Sequence, residues 1–162
     1  MNKRLDSKNV IPSAMRALYG VRTYLDTQTN LSKTMIDLVF LRTSQINGCA
    51  HCIDMHSRDL LRDGMDVEKL VLVPVWREVG SLFDDVERAA LAWTETVTNV
   101  ASTTIPDSDY EFAASVFSEK DLADLTVAIG LMNTYNRLGV AFRLPVAAIA
   151  AQKPVEHLPV DL

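Results

Sequence analysis

The chain has only two cysteines, and they stand three residues apart in Cys49-Ala50-His51-Cys52. Two of its three histidines, His51 and His56, fall in the same eight-residue window. On a helix opening near Cys49, positions i and i+3 share a face at about 5–6 Å, within the Cα range that a disulfide requires. The pair can therefore pass between dithiol and disulfide without a large backbone movement. His56 is i+4 from Cys52, so its imidazole reaches that sulfur. A helix N-terminus adds positive potential and unpaired amide donors, and both favour thiolate over thiol. Lowering a thiol by a unit or two from its free pKa of about 8.5 makes the thiolate abundant at neutral pH. By helical spacing His51 points off this face, where it can contribute charge or carry a proton. Asp37 lies twelve residues before Cys49, on a segment that must fold back against the cysteine helix. Its carboxylate can hold an imidazole in the useful tautomer, directly or through water. Nucleophile, base, orienting acid and second thiol together make thiol redox chemistry.

Two other readings use the same residues. The cysteines could simply be small buried side chains. Alternatively Cys49, Cys52 and His56 could ligate zinc. A structural zinc site wants four protein ligands, however, and the remaining histidine, His157, stands far away near the end of the sequence. The expectation is no metal and no organic cofactor. A thioredoxin-like domain is disfavoured because the βαβ pattern around its C-x-x-C motif is missing.

The elements that must position these residues read as helices. Pro12 and Ser13 start one through Leu25, and the 26–30 run reads as a turn. Ser32 caps a second, with Met35, Leu38, Val39 and Leu41 at helical intervals. Asn47-Gly48 breaks that helix, since both residues tolerate positive φ. The cysteine helix follows to Gly64, then a short one from Asp66 to about Val73, ended by Pro74. Asp84 and Glu87 form a capping-box pattern. Behind it Val86, Ala89, Ala90, Trp93, Val97 and Val100 fall on one face. Pro106-Asp107 opens a helix through Phe117, and Ser118 opens a long one, apolar nearly all round from Leu122 to Met132 and more polar from Asn133 to Arg143, which Pro145 closes. The 153–162 tail, with two prolines, reads as irregular. No strand-period alternation of useful length occurs, so the fold class is all-α with about six to eight helices.

The bulk numbers fit this. The 162 residues suit a single domain, and 48% hydrophobic with 23% charged residues is ordinary for a globular protein. A net charge of −5 and the lack of any basic run exclude a nucleic-acid binder or an anionic-membrane protein from expectation. A charged start without an apolar core, and no apolar run of about 18 residues, suggest a cytoplasmic protein.

The segment from Leu41 to His56 resembles the signature of the carboxymuconolactone decarboxylase superfamily, and more narrowly its alkylhydroperoxidase D-like branch. That pattern is an acidic residue, eleven intervening residues, C-x-x-C, three residues and His. The Phe117–Leu122 and Asn136–Arg143 segments and the Trp76-Arg77-Glu78 element also resemble this family, so the likeness covers about residues 12–146. The resemblance implies an all-helical fold, homo-oligomers (trimers, hexamers or dimers) and peroxidase or disulfide-reductase chemistry. Carried over by position, Cys52 is the peroxidatic thiolate and Cys49 the resolving, more exposed thiol. His56 is the proton-relay histidine and Asp37 the acidic member, while His51 matches a histidine found between the cysteines in the founding enzyme. The family's acidic residue is typically Glu, so Asp37, one methylene shorter, is expected to lengthen the relay or to need a bridging water. The partners so implied are a hydroperoxide substrate and an external dithiol or protein reductant. A disulfide reductase serving another peroxidase, and a non-catalytic redox sensor, are the competing functions.

Several other residues carry plainer expectations. Trp93 is core, Trp76 could line a pocket, and Met132 is core or interface. Asn133, Asn136 and Arg137 could make polar contacts between subunits. Asp54 and Asp59 read as the solvated face of the cysteine helix.

Overall fold

The computed structural model describes residues 2–150, and among them every regular element is helical. In chain order these are α1 (Ser7–Val10), α2 (Pro12–Gln28), α3 (Lys33–Ile46), α4 (Ala50–Arg62), α5 (Val67–Leu72), α6 (Asp85–Thr98), α7 (Val100–Thr103), α8 (Asp107–Ala114), α9 (Glu119–Phe142) and α10 (Ala147–Ala150). Two 3₁₀ segments, Val73–Glu78 and Gly80–Leu82, join α5 to α6. Seven of the α-helices are six residues or longer, within the number expected. The 153–162 tail and His157 lie outside the described residues.

The helix starts are built as their sequences predict. Ser32 accepts from the Met35 amide at 3.1 Å, and Ser118 accepts from Asp121 at 3.1 Å. Asp84 and Glu87 cap each other reciprocally at 2.8 and 2.9 Å. Each such cap stabilises its helix by about 1 kcal/mol. One boundary differs: α2 continues through the expected 26–30 turn as far as Gln28. The Arg22–Asp26 ion pair at 2.9 Å and the Thr27 hydroxyl bonded to the Thr23 carbonyl both suit a continuing helix. Val86 and Val100 also depart from the expected apolar face, being 44% and 51% exposed. Val86 sits in the first turn of α6, and Asn99 ends that helix before Val100 can follow its register.

The core is organised around α3, which packs against α4, α6 and α9. Ile36, Leu38, Val39, Phe40 and Leu41 are all buried, so this helix is covered on every side. Ile36 and Phe40 meet Leu25, Met132 and both cysteines. Leu38 and Leu41 meet Leu60, Trp76 and Phe83, while Val39 meets Trp93, Leu125 and Ile129. Truncating a side chain so enclosed costs roughly 2–5 kcal/mol. A charge in such a place is tolerated only when partnered, which makes Asp37, 1% exposed in the middle of α3, the residue to explain. Among the described residues no helix is long and apolar enough to cross a membrane.

Candidate active site

Between α3 and α4 the chain reverses in two residues. Asn47 caps the C-terminus of α3, and Gly48 takes φ +66°, a left-handed conformation that suits glycine. Asn47 Nδ2 donates to Asn133 and Asn136 Oδ1 on α9 at 3.0 and 2.9 Å, and Asn136 Nδ2 donates to the Ser44 hydroxyl at 3.0 Å. These asparagines therefore bind the turn within the chain, where intersubunit contacts were expected. The turn delivers Cys49 as the N-cap of α4, its sulfur accepting from the Cys52 amide at 3.4 Å. Cys49 and Cys52 are joined as a disulfide, with Cα atoms 5.4 Å apart. Both are buried, at 1% and 2% exposure, so Cys49 is not the more exposed sulfur. It is folded back under α9, whereas Cys52 faces a cavity.

One turn along α4, His56 packs edge-on against the Phe40 ring at 5.1 Å. Its Nδ1 lies 3.4 Å from Asp37 Oδ1, beyond ordinary hydrogen-bond length. Neither atom has a hydrogen-bond partner among the described residues, so the pair is held by proximity and charge. Lys33 Nζ takes the other oxygen, Oδ2, at 2.9 Å and also pairs with Asp63. Arg22 approaches Oδ1 at 3.7 Å. Burial pushes the Asp37 carboxyl up, but His56 and Lys33 outweigh it and hold the group below its ordinary value of 3.8. Asp37 is therefore an anion under all ordinary conditions and favours the proton on His56 Nδ1. That leaves Nε2 to exchange a proton with a reacting group.

Cys52 and His56 open onto a cavity of about 570 Å³, walled by Phe40 of α3, Met15 and Tyr19 of α2 and Met132 of α9. His51 lines it too, correcting the expectation that it points away. Residues 51, 52, 55, 56 and 59 form one stripe of α4, because i+1 and i+4 neighbours both fit a wide helical face. His51 Nδ1 donates to the Pro145 carbonyl at 2.6 Å. A carbonyl only accepts, so the neutral ring carries its proton on Nδ1 and keeps Nε2 as an acceptor. The segment it holds turns over at Arg143, left-handed at φ +54°, which lays Leu144 and Pro145 along the cavity. Arg4 ties the opposite edge down, donating from its backbone and guanidinium to the carbonyls of Phe142 and Ala141 at 3.0 and 3.1 Å.

Residues 12–96 match the carboxymuconolactone decarboxylase family. The chain is also 30% identical over 141 residues to the uncharacterized protein YdfG of Bacillus subtilis, covering 87% of this chain and 95% of that one. This chain belongs to the carboxymuconolactone decarboxylase family. Its fold is that of the AhpD-like members. A crystal structure of a protein of unknown function from Agrobacterium tumefaciens, designated there as a candidate antioxidant defence protein AhpD, superposes with a TM-score of 0.83. It is 37% identical, over 96% of this chain and all of the other. The debrominase Bmp8 shares the fold at TM-score 0.74 and 19% identity, over 86% of this chain and 73% of its own.

Within this family member the remaining expectations divide. Asp59 is not simply on the solvated face: it lines the cavity, and its donor atoms lie within 4.8 Å of those of Asp37 and His56. Among the described residues this trio, rather than the cysteines with His56, is the set that could approach a cation. Lys33 and Arg22 already bring positive charge to Asp37, which opposes a metal there. Asp54 accepts from Arg58 at 3.0 Å and from the Ala148 amide at 3.2 Å, anchoring α10. Trp76 is 4% exposed and does not line the cavity. Its indole donates to Glu95 at 2.9 Å, and Arg77 stacks on its ring at 4.2 Å. Trp93 is core as expected, donating to Thr126 at 2.9 Å. Arg22, Tyr135 and Gly139 escaped the sequence reading, since nothing in their local spacing marks them, whereas Lys33 stands four residues before Asp37, an ion-pair spacing that could have found it.

Gly139 shows what that omission conceals. A Cβ there would stand 2.9 Å from Cys49 Sγ and 3.6 Å from Cys52 Sγ. Alanine favours a helix over glycine by about 1 kcal/mol, yet here it would press on the joined sulfurs. Gly139→Ala is expected to shift the dithiol–disulfide equilibrium toward the dithiol by tenfold or more, about 30 mV for this two-electron couple. Redox titration against glutathione reads this directly, and an unchanged potential would show that Cys49 yields freely.

The depressed carboxyl of Asp37 makes a second prediction. Because its folded pKa is below the unfolded one, its contribution is complete above the unfolded value and fades as pH falls through 3.8 toward the lower folded value. Asp37→Asn is expected to lower stability by roughly 1–3 kcal/mol at pH 7. In urea melts the gap should narrow below pH 4.

Proposed function

We propose that this protein is a thiol-dependent peroxidase that reduces organic hydroperoxides through a Cys49/Cys52 dithiol–disulfide cycle. The observation that carries this is Cys52 at the cavity wall with His56 one turn away and Cys49 at bonding distance behind it. The antioxidant designation of the Agrobacterium neighbour supports the same reading.

In the reduced protein the Cys52 thiolate attacks the terminal oxygen of the hydroperoxide. The O–O bond breaks, Cys52 becomes a sulfenic acid, and the departing alkoxide takes a proton from His56 to leave as the alcohol. The Cys49 thiolate then attacks the Cys52 sulfur. The S–S bond forms, and the hydroxyl leaves as water after protonation. An external dithiol, itself oxidised to a disulfide, restores the pair by exchange. The dipole at the N-terminus of α4 supports the thiolate of Cys52 in its first turn, while the Cys52 amide donates to the Cys49 sulfur. Asp37, itself held by Lys33, steadies His56.

The test is stoichiometric. Reduced protein mixed with cumene hydroperoxide is expected to consume one equivalent per chain and lose two thiols, and to turn over repeatedly once a dithiol is added. Peroxide loss without thiol loss defeats the proposal. Slow oxidation with rapid dithiol exchange favours a disulfide reductase instead.

A further inference from the structure

Besides His56, the cavity beside Cys52 contains a second polar group without a partner among the described residues. Tyr135, on α9, lines it, and its hydroxyl oxygen is buried yet makes no hydrogen bond among the described residues. A buried hydroxyl left without a partner is unfavourable, so the position calls for a reason. Tyr135 is not serving the fold elsewhere: its ring meets Tyr19 across the cavity at 6.5 Å, and burial pushes the phenol pKa up, keeping it a neutral donor.

The surrounding wall indicates what a ligand would look like. Met15, Phe40, Met55, Met132, Leu138 and Leu144 provide an apolar, adaptable surface. The charged groups among them are mostly answered by opposite charges: Lys3 by Asp6 at 2.8 Å, Arg22 by Asp26 at 2.9 Å and Asp59 by Arg62 at 2.9 Å. Lys8 stands exposed at the edge. Such a balanced field gives a charged ligand no advantage over a neutral one. The volume, about 570 Å³, falls in the range of pockets that enclose organic molecules rather than hydrogen peroxide alone.

We propose that Tyr135 is the substrate-recognition residue of this cavity, its hydroxyl donating a hydrogen bond to a neutral acceptor oxygen on a compact, largely apolar organic molecule bound beside Cys52. Under the peroxidase reading, on which the ligand's chemical fate rests, that molecule is a neutral organic hydroperoxide carrying an aryl or branched alkyl body. The binding step itself needs no turnover and is tested without it.

The experiment uses the oxidised, disulfide-linked protein and two unreactive probes of similar shape, acetophenone with an acceptor oxygen and cumene without one. Dissociation constants for each are measured by ligand-observed NMR in wild type and Tyr135→Phe. The substitution is expected to weaken acetophenone roughly fivefold to tenfold, the scale of one net hydrogen bond, and to leave cumene within about twofold. The free variant is expected to melt no lower than wild type, because it loses a hydroxyl that has no partner. Equal weakening of both probes, an unchanged acetophenone affinity, no binding of either by wild type, or a lower melting temperature each overturns the proposal. A failed peroxide assay leaves these binding results standing, so the two readings fail separately.

Discussion

Cys52→Ser is expected to reduce hydroperoxide consumption by roughly 10³-fold or more, to the background of free peroxide, because the proposed cycle then lacks its nucleophile. Cys49→Ser is expected to behave in a qualitatively different way: one rapid equivalent of peroxide consumed per chain, followed by arrest at the Cys52 sulfenic acid. The asymmetry follows from geometry. Of the two sulfurs only Cys52 lines the cavity, while Cys49 lies against Gly139 at the far side of the pair. Cys49 also accepts the Cys52 amide as the N-cap of α4, so its sulfur is directed along the backbone rather than toward a ligand. Rapid-mix peroxide assays with dimedone trapping and mass spectrometry distinguish the two variants. Full activity in Cys52→Ser with loss in Cys49→Ser would reverse the assignment.

His56→Gln is expected to slow oxidation of Cys52 by about 10²- to 10⁴-fold, the usual contribution of a positioned general acid–base group. Glutamine keeps much of the volume against Phe40 but cannot take or give a proton. Asp37→Asn should cost less, on the order of 10- to 100-fold, because Asp37 acts through His56 and never meets the substrate. The 3.4 Å separation argues the same way, since a contact of that length steers the imidazole less firmly than a full hydrogen bond. The readout that separates positioning from simple structural support is the pH–rate profile of Cys52 oxidation followed by stopped flow. Asp37→Asn is expected to change the shape of that profile as well as its height, because the imidazole loses the carboxylate that faces it. A profile that only drops in height would mean that Asp37 serves packing alone. An unaltered rate in His56→Gln would remove the histidine from the chemistry.

The positions on which the proposed chemistry rests were legible in the chain because they obey local rules. Spacings of three and four residues on a helix bring side chains together whatever the rest of the molecule does. For that reason Cys49, Cys52 and His56 could be grouped before any tertiary structure was known, and caps at Ser32, Asp84 and Ser118 could be placed from residue types alone. Asp37 was reachable through the same motif, with its short side chain marking the weak contact. His51 shows the limit of the method. Its place on the helix wheel was clear, but the width of the face that α4 turns to the cavity depends on what α2, α9 and the 144–145 segment place opposite it.

The amino-acid sequence therefore determined the helical architecture, the cysteine pair and the histidine beside it, since these depend on neighbours a turn or less away. Only the tertiary structure decided which sulfur faces the cavity, how Arg22 reinforces Asp37, why position 139 has no room for a side chain, and where Tyr135 points. Each of these arises between residues roughly 15 to 120 positions apart, brought together by the packing of α2, α4 and α9 about α3. Such contacts have no period and no spacing rule, because the geometry of packed helices, not of the chain between them, sets their distances.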